Sequence, residues 1–280
     1  MQLPPDLDET LRRALTEDVG GGDVTSVAVI PDGAMGTARA IAKTGGVVAG
    51  GPVFERLFQL VDPGLLIRWI VLDGTSVSAG HVLGELRGSA RSMLAGERVA
   101  LNFLQHLSGI ATLTRKFVDA CEGTGSQILC TRKTLPGLRA LERYAVQCGG
   151  GRLHRGGLDD GVLIKDNHVK VAGGVIEAVK RAKEGVPHTL KVEVEVDTLE
   201  QLQEALDAGA DAILLDNAGL EVIKEAVAMV GGRVPLEISG GITLVNIREI
   251  ALAGPVLISV GRITHSAPAM DISFEVMPSG

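Results

Sequence analysis

Aromatic side chains are almost missing from this sequence: Phe, Tyr and Trp together supply 2% of its 280 residues. Aliphatic side chains must therefore fill the core, and a surface that stacks bases on rows of aromatic platforms is excluded. Positive charge is not in excess either. Lys and Arg number 27 against 34 Asp and Glu, a net charge of −7, which is the wrong balance for a general binder of nucleic-acid backbones. No apolar run approaches the ~18 residues of a membrane span. The N-terminal MQLPPDLDETLRR carries acids where a secretory signal has its hydrophobic stretch. Cysteine is sparse and odd in number. Cys121, Cys130 and Cys148 form no CxxC pair, so buried thiols in a reducing compartment are expected rather than a disulfide frame or a zinc site. A Walker A sequence, a GxGxxG fingerprint after a strand and HExxH spacing are absent as well. These exclusions leave a cytoplasmic α/β enzyme without nucleic-acid or membrane partners.

What is present falls into two regions. From Met1 to about Gly109, a short amphipathic helix (Leu7, Leu11, Ala14, Leu15) runs into the turn-rich EDVGGGD of Glu17–Asp23. Alternating strands follow at Thr37–Lys43, Leu65–Leu72 and Ser76–Leu86, the last broken at Ala79-Gly80, with a helix over Val53–Leu60. A longer amphipathic helix over Ala90–His106 closes this α+β region. From about Thr112 the rhythm changes to apolar strands alternating with helices. The strands are Gln127–Cys130, Val162–Ile164, Leu190–Val196, Ala212–Leu215, Pro235–Ile238 and Val256–Val260. Nearly continuous apolar strands between helices predict a parallel sheet with both faces covered. Six strands are too few for a complete eightfold barrel. The expected architecture is an N-terminal α+β sandwich domain, residues 1–110, followed by an open, incomplete TIM-like α/β barrel, residues 111–265, with the tail 266–280 packing back on the first domain.

Polar chemistry follows the strands directly. Arg132-Lys133, Lys165-Asp166, Asp216-Asn217, Ser239-Gly240-Gly241 and Gly261-Arg262 each stand just past a predicted strand, where barrel enzymes place their active sites. The stretch 131–170 holds eight Lys or Arg residues and four acids, leaving nineteen bases and thirty acids elsewhere. A concentrated positive site in an acidic protein suits a small, multiply anionic ligand, because guanidinium forks match carboxylate and phosphate. Arg139 and Arg143 are equally explained as a solvated helix face; Arg132, Lys133 and Lys165 are not. A strand-end lysine such as Lys165 also suits a Schiff-base aldolase, although that leaves the arginines unexplained. The small residues of Ser239-Gly240-Gly241 and Gly261 allow backbone N–H groups to approach a phosphate. Glu193 and Glu195 share one face of their strand, and interior acids are costly unless paired or metal-bound. For Glu193 a structural ion pair and a site role are both open. Oxygen-only ligands such as Glu195 and Asp216 suit Mg²⁺.

The ordered motifs EDVGGGDVTS, ERVALNFLQHLSGIAT, TRKTLPGLRALERYAV, GGGRLHRGGLDDGVLIKDNH, VEVEV, ILLDN, EISGGI and ISVGRITHS cover essentially the whole chain. In these the sequence resembles the quinolinate phosphoribosyltransferases, decarboxylating enzymes of NAD biosynthesis. The resemblance implies quinolinate and 5-phosphoribosyl 1-pyrophosphate as substrates and Mg²⁺ as cofactor. The implied products are nicotinate mononucleotide, carbon dioxide and pyrophosphate. It implies Arg98, Arg132, His154, Arg155 and Lys165 as ligands of quinolinate. Lys133, Glu195, Asp216, Ser239, Gly240, Gly261 and His265 fall on the phosphoribosyl side, with Lys165, Glu195 and Asp216 catalytic and Glu195 and Asp216 holding the metal directly or through water. It further implies a homodimer in which Arg98 is donated across the interface, with an assembly of dimers left open. The chain departs from the family pattern at Leu153, at Arg262 and at Gly254-Pro255-Val256.

Overall fold

The computed structural model describes residues 3–254 and 256–278; Pro255, within the Gly254-Pro255-Val256 departure, and the last two residues of the tail lie outside them. The described chain groups into two compact units, Met1–Arg115 with Leu135–Gly150 and Ile263–Gly280, and Lys116–Thr134 with Gly151–Arg262.

The first unit opens with α1 (Leu7–Val19) and α2 (Val24–Val29). Asp23 caps α2 by accepting from the N–H groups of Thr25 and Ser26, so the glycine-rich EDVGGGD is a turn and cap. Then come β1 (Met35–Ala42), β2 (Gly46–Val47), α3 (Gly51–Val61), β3 (Leu66–Trp69), β4 (Ser76–Val77), β5 (Val82–Ser89), α4 (Ala90–Ala120) and, beyond the first strand of the second unit, α5 (Arg139–Cys148). A four-stranded antiparallel sheet runs β3, β5, β1 and then the C-terminal strand Ile272–Pro278, whose Ile272 lies opposite Ala42 and Pro278 opposite Gly36. The aromatics gather here. Phe54 and Phe58 of α3 meet edge-on at 4.9 Å, and Phe58 stacks on Phe274 at 5.7 Å.

Two differences from the sequence reading have physical causes. The helix expected to end at His106 continues to Ala120. A Cβ at Gly109 would stand 2.2 Å from the Pro268 carbonyl oxygen, so the glycine permits a close backbone approach inside an unbroken helix. The segment around α5, expected within the barrel region, groups with the first unit. Tyr144 of α5 donates its hydroxyl to Asp73 at 2.5 Å, and the same carboxylate accepts the N–H groups of Gly50 and Gly51.

The second unit is built on β6 (Gln127–Leu129), β7 (Val162–Ile164), β8 (Val192–Val196), β9 (Ala212–Asp216), β10 (Leu236–Ser239) and β11 (Leu257–Ser259). They form one parallel sheet in the order β6-β11-β10-β9-β8-β7. Helices α6 (Asp166–Ala172), α7 (Val175–Gly185), α8 (Leu199–Asp207), α9 (Leu220–Val230) and α10 (Ile247–Leu252) intervene, as parallel crossovers require. The chain closes with α11 (Arg262–His265) and β12 (Ile272–Pro278). The outer strands β6 and β7 do not pair with each other; Arg152 instead bridges Leu129 beside β6. This is the expected open α/β barrel; one face of its sheet is a buried aliphatic layer (Ile128, Val194, Ile213, Leu215, Ile238, Ile258), and the opposite face carries Glu195, Leu214 and Glu237 toward the cavity. All three cysteines are buried thiols.

Candidate active site

In the second unit a cavity of about 280 Å³ opens at the C-terminal ends of the strands. It brings together eight of the residues singled out from sequence: Arg132, Lys133, His154, Arg155, Lys165, Glu195, Asp216 and Ser239. Thr131, Leu163, Leu214, Glu237 and Ser259 complete the lining. Each polar group stands there because an apolar strand ends there. Arg132 and Lys133 follow β6, Lys165 follows β7, Asp216 ends β9, and Ser239 and Ser259 end β10 and β11. Glu195 lies within β8, in register with Leu214 of β9, which is in turn opposite Glu237 of β10.

His154 and Arg155 come from the stretch before β7. The Arg155 guanidinium donates through Nη1 to the Gly161 carbonyl at 3.1 Å, and the Gly156 and Gly157 N–H groups both bond the Asp160 carboxylate. That loop is thereby folded on itself with its cation held inward. The Nε of Arg155 is buried and has no hydrogen-bond partner among the described residues. Burial, then the neighbouring Arg132 guanidinium, pushes the Arg155 pKa below its ordinary value. Two guanidiniums forced together with a donor left over make a receptor for an anion.

The acids divide into two sets. Glu195 accepts from Lys165 Nζ at 2.5 Å, and Asp216 accepts from the Asn217 amide at 2.6 Å. The ion pair engages the Lys165 amine, which weakens the aldolase alternative. Glu193 and Glu237 instead face His154, whose Nε2 lies 3.4 Å from a carboxylate oxygen of each. The bond to Glu193, ahead of the opposing effect of burial, raises the His154 pKa. Burial, then the nearby Glu193 charge, pushes Glu237 up to about 7. Glu193, left open in the sequence, therefore belongs to a buried acid–imidazole cluster. Glu237 and Ser259 were missed. The signal was present, because a charged residue inside the apolar run PLEIS is the same anomaly that picked out Glu193 and Glu195.

Gly240 follows β10 at φ +89°, and a Cβ there would meet Asn217 Oδ1 at 2.2 Å. Asn217, itself at φ 52°, is the one non-glycine residue with positive φ among the described residues. The Ser-Gly-Gly turn is thus shaped by the residue after Asp216. Gly261 follows β11. Arg98 is exposed on α4, and His265, at the end of α11, bonds the Ser266 hydroxyl through Nδ1 at 2.6 Å; both belong to the first unit. Leu153 and Arg262, two of the departures, are exposed.

An open parallel barrel with clustered guanidiniums, an ion-paired lysine and carboxylates at its strand ends defines a barrel enzyme site for a small polyanion. Residues 23–108 match the family described as quinolinate phosphoribosyl transferase, N-terminal domain, and residues 110–275 match its C-terminal domain. The chain belongs to the quinolinate phosphoribosyltransferase family. It is 41% identical over 270 residues to a probable nicotinate-nucleotide pyrophosphorylase (carboxylating) of Bacillus subtilis, covering 96% of this chain and 93% of that protein. The structure of NadC from Streptococcus pyogenes matches with a TM-score of 0.96 at 39% identity over 100% of both chains. That of the nicotinate-nucleotide pyrophosphorylase from Francisella tularensis matches with a TM-score of 0.95 at 40% identity, over 99% of this chain and 98% of that one.

Proposed function

We propose that this chain transfers the phosphoribosyl group of 5-phosphoribosyl 1-pyrophosphate to the ring nitrogen of quinolinate with decarboxylation. The products are nicotinate mononucleotide, carbon dioxide and pyrophosphate, on the route to NAD. The observation that carries this reading is the cavity itself: Arg132 and Arg155 crowded together, with Lys133, Lys165 and His154 beside them. A pyridine dicarboxylate offers two carboxylates to such a cluster of guanidinium and ammonium donors.

Arg132, His154, Arg155 and Lys165 hold the quinolinate carboxylates in this account, and Arg98 is supplied by the partner in a homodimer. Lys133, Ser239, Gly240, Gly261 and His265 hold the phosphoribosyl donor. Lys165, Glu195 and Asp216 are catalytic. As pyrophosphate departs, positive character develops on the ribose, and the carboxylates of Glu195 and Asp216 stabilise it electrostatically. Fixing the pyridine nitrogen against the ribose carbon makes the bond-forming step effectively unimolecular. The ring nitrogen, once alkylated, is cationic and draws the electron pair of the breaking carbon–carboxyl bond.

The donor set fits Mg²⁺, since Glu195 and Asp216 offer only oxygen atoms at adjoining strand ends. When bound, that ion neutralises charge on the pyrophosphate leaving group. His154, Glu193 and Glu237 also bring ligand atoms within 4.8 Å of one another; there His154 Nε2 stands 3.4 Å from each carboxylate and the Ser259 hydroxyl donates to Glu237. A domain change near residue 110, as in the division into residues 1–110 and 111–265, is supported by the change of family domain between 108 and 110; the segment Leu135–Gly150 and the tail 266–280 go with the first unit. No helix among the described residues is long and apolar enough to cross a membrane, and a cytoplasmic setting agrees with three buried cysteine thiols.

The test is a product assay with quinolinate, 5-phosphoribosyl 1-pyrophosphate and Mg²⁺, with nicotinate replacing quinolinate in a parallel reaction. Nicotinate mononucleotide and carbon dioxide should appear together, from quinolinate alone. Turnover of nicotinate but not quinolinate refutes the dicarboxylate pocket, and silence with both refutes the reaction.

A further inference from the structure

Glu237 is the acid for which the reaction above has no use. It lies in the middle of β10, 2% exposed, and lines the cavity. No lysine or arginine is bonded to it among the described residues. Its partners are the Ser259 hydroxyl at 2.5 Å, His154 Nε2 at 3.4 Å and, beside them, Glu193. Two carboxylates and one imidazole buried together cannot all be ionised and unprotonated without a large desolvation cost. The cluster therefore retains a proton.

The geometry says where. The backbone N–H of Arg155 donates to His154 Nδ1 at 2.6 Å, so the imidazole carries its own hydrogen on Nε2, aimed at the two acids. A second proton on Nδ1 would break that bond, which opposes the pull of the carboxylates toward imidazolium. The remaining places are the two carboxyls, and the more deeply buried one, Glu237 at 2% exposure against 13% for Glu193, holds the proton. The charged groups around it are Glu193 and Glu195 on β8, Lys165 after β7, Asp216 on β9, Arg132 and Lys133 after β6, and Arg155 beside His154. Of the cavity acids, Glu195 is neutralised by Lys165 and Asp216 is bonded to Asn217. Glu237 is held in an environment that favours the acid form, pushed up to about 7 chiefly by burial.

The decarboxylation read into this site needs such a group. When the carbon–carboxyl bond breaks, its electron pair stays on the ring carbon, and the pair is neutralised only when a proton arrives. Until then the carbanion can recapture carbon dioxide. We propose that Glu237 is the proton donor that completes decarboxylation, its carboxyl facing the ring carbon next to the alkylated nitrogen. The O–H bond of Glu237 breaks, the proton forms the new ring C–H bond, and the electron pair of the O–H bond remains on the carboxylate. Ser259 O–H and His154 Nε2–H are already placed to stabilise that carboxylate. Solvent reprotonates it after product release. This rests on the phosphoribosyl-transfer reading.

The experiment follows pyrophosphate release and carbon dioxide release separately in single turnovers with quinolinate, the phosphoribosyl donor and Mg²⁺. Glu237→Gln keeps the shape and one accepting oxygen, which can still take the Ser259 bond, but has no acidic proton. It should leave pyrophosphate release within about threefold and slow carbon dioxide release at least tenfold, so that a mononucleotide still bearing both carboxylates accumulates. Glu237→Asp should restore part of the second step. In the unsubstituted enzyme the ratio of carbon dioxide to pyrophosphate rates should fall as pH rises past neutrality, and that limb should move in Ser259→Ala. Equal loss of both releases in Glu237→Gln assigns the residue a merely structural role and overturns the proposal. So does an unchanged ratio, or a wild-type ratio flat to pH 9 should Glu237→Gln not fold. Absence of pyrophosphate release from the wild type would instead sink the underlying reaction.

Discussion

Replacing Arg155 by methionine should cripple the reaction while sparing the fold. The side chain is a half-buried cation beside another cation, with one hydrogen bond to Gly161 and a buried Nε that bonds nothing among the described residues. Methionine keeps most of the apolar stem and removes both the charge and its repulsion with Arg132. In the resting protein the change loses one neutral-acceptor bond, about 1 kcal/mol, and recovers the desolvation and repulsion that lower the Arg155 pKa. Arginine is charged in both folded and unfolded chains at neutral pH. The lowered folded-state pKa is therefore a standing penalty across the physiological range rather than a pH-dependent one. The two contributions roughly cancel, so Tm should stay within about 3 °C or rise. Catalysis has no such compensation. A charge-assisted bond to a substrate carboxylate contributes about 1.5–3 kcal/mol, which is roughly 10- to 150-fold in kcat/KM for quinolinate. The KM for the phosphoribosyl donor should move less than threefold. The assay is steady-state formation of nicotinate mononucleotide alongside a thermal melt without ligands. Unchanged kcat/KM, or a melt lowered by 6 °C or more with normal kinetics, would show that Arg155 holds the loop together rather than the substrate.

Gly240→Ala should raise the KM for the phosphoribosyl donor about tenfold while quinolinate binding stays within threefold. A Cβ at φ +89° would press on Asn217 Oδ1, and the strained turn would carry a cost of about 1–3 kcal/mol; equal effects on both substrates would refute this. Cys148, whose pKa burial pushes up to about 12, should resist iodoacetamide at pH 8 in the native protein, where its thiolate is about one part in ten thousand, and react fully in guanidinium. Rapid native labelling at Cys148, read by mass spectrometry, contradicts the packing around Asp73 and Tyr144. Mixing Arg98→Ala with Arg132→Ala subunits should restore about a quarter of wild-type activity, since half the dimers would be hybrids with one intact site. No recovery after verified subunit exchange would place Arg98 in its own subunit's site or outside any site.

Local chemistry was enough to read the barrel. Six apolar β-rich runs declared themselves because a strand buried on both faces has little room for polar residues, and the observed strands differ from those runs by at most a few terminal residues. The cation cluster and the carboxylates of β8 and β9 were legible for the complementary reason: a charge at the end of an apolar run needs a purpose. Sheet order was not legible. Placing β10 and β11 between β6 and β9 is what sets Glu237 and Ser259 beside a histidine 83 residues earlier in the chain than Glu237. Gly109 and Asn217 show the same limit on a smaller scale. One continues a helix because a backbone segment from the C-terminal tail lies against it. The other adopts a left-handed conformation that shapes the turn after a neighbouring strand. Periodicity and end signals follow from each segment's own preferences, so the sequence by itself determined the parallel α/β framework and most of the residues that line its cavity. Which buried acid faces which base depends on contacts between segments distant in the chain, and only the tertiary structure decided that.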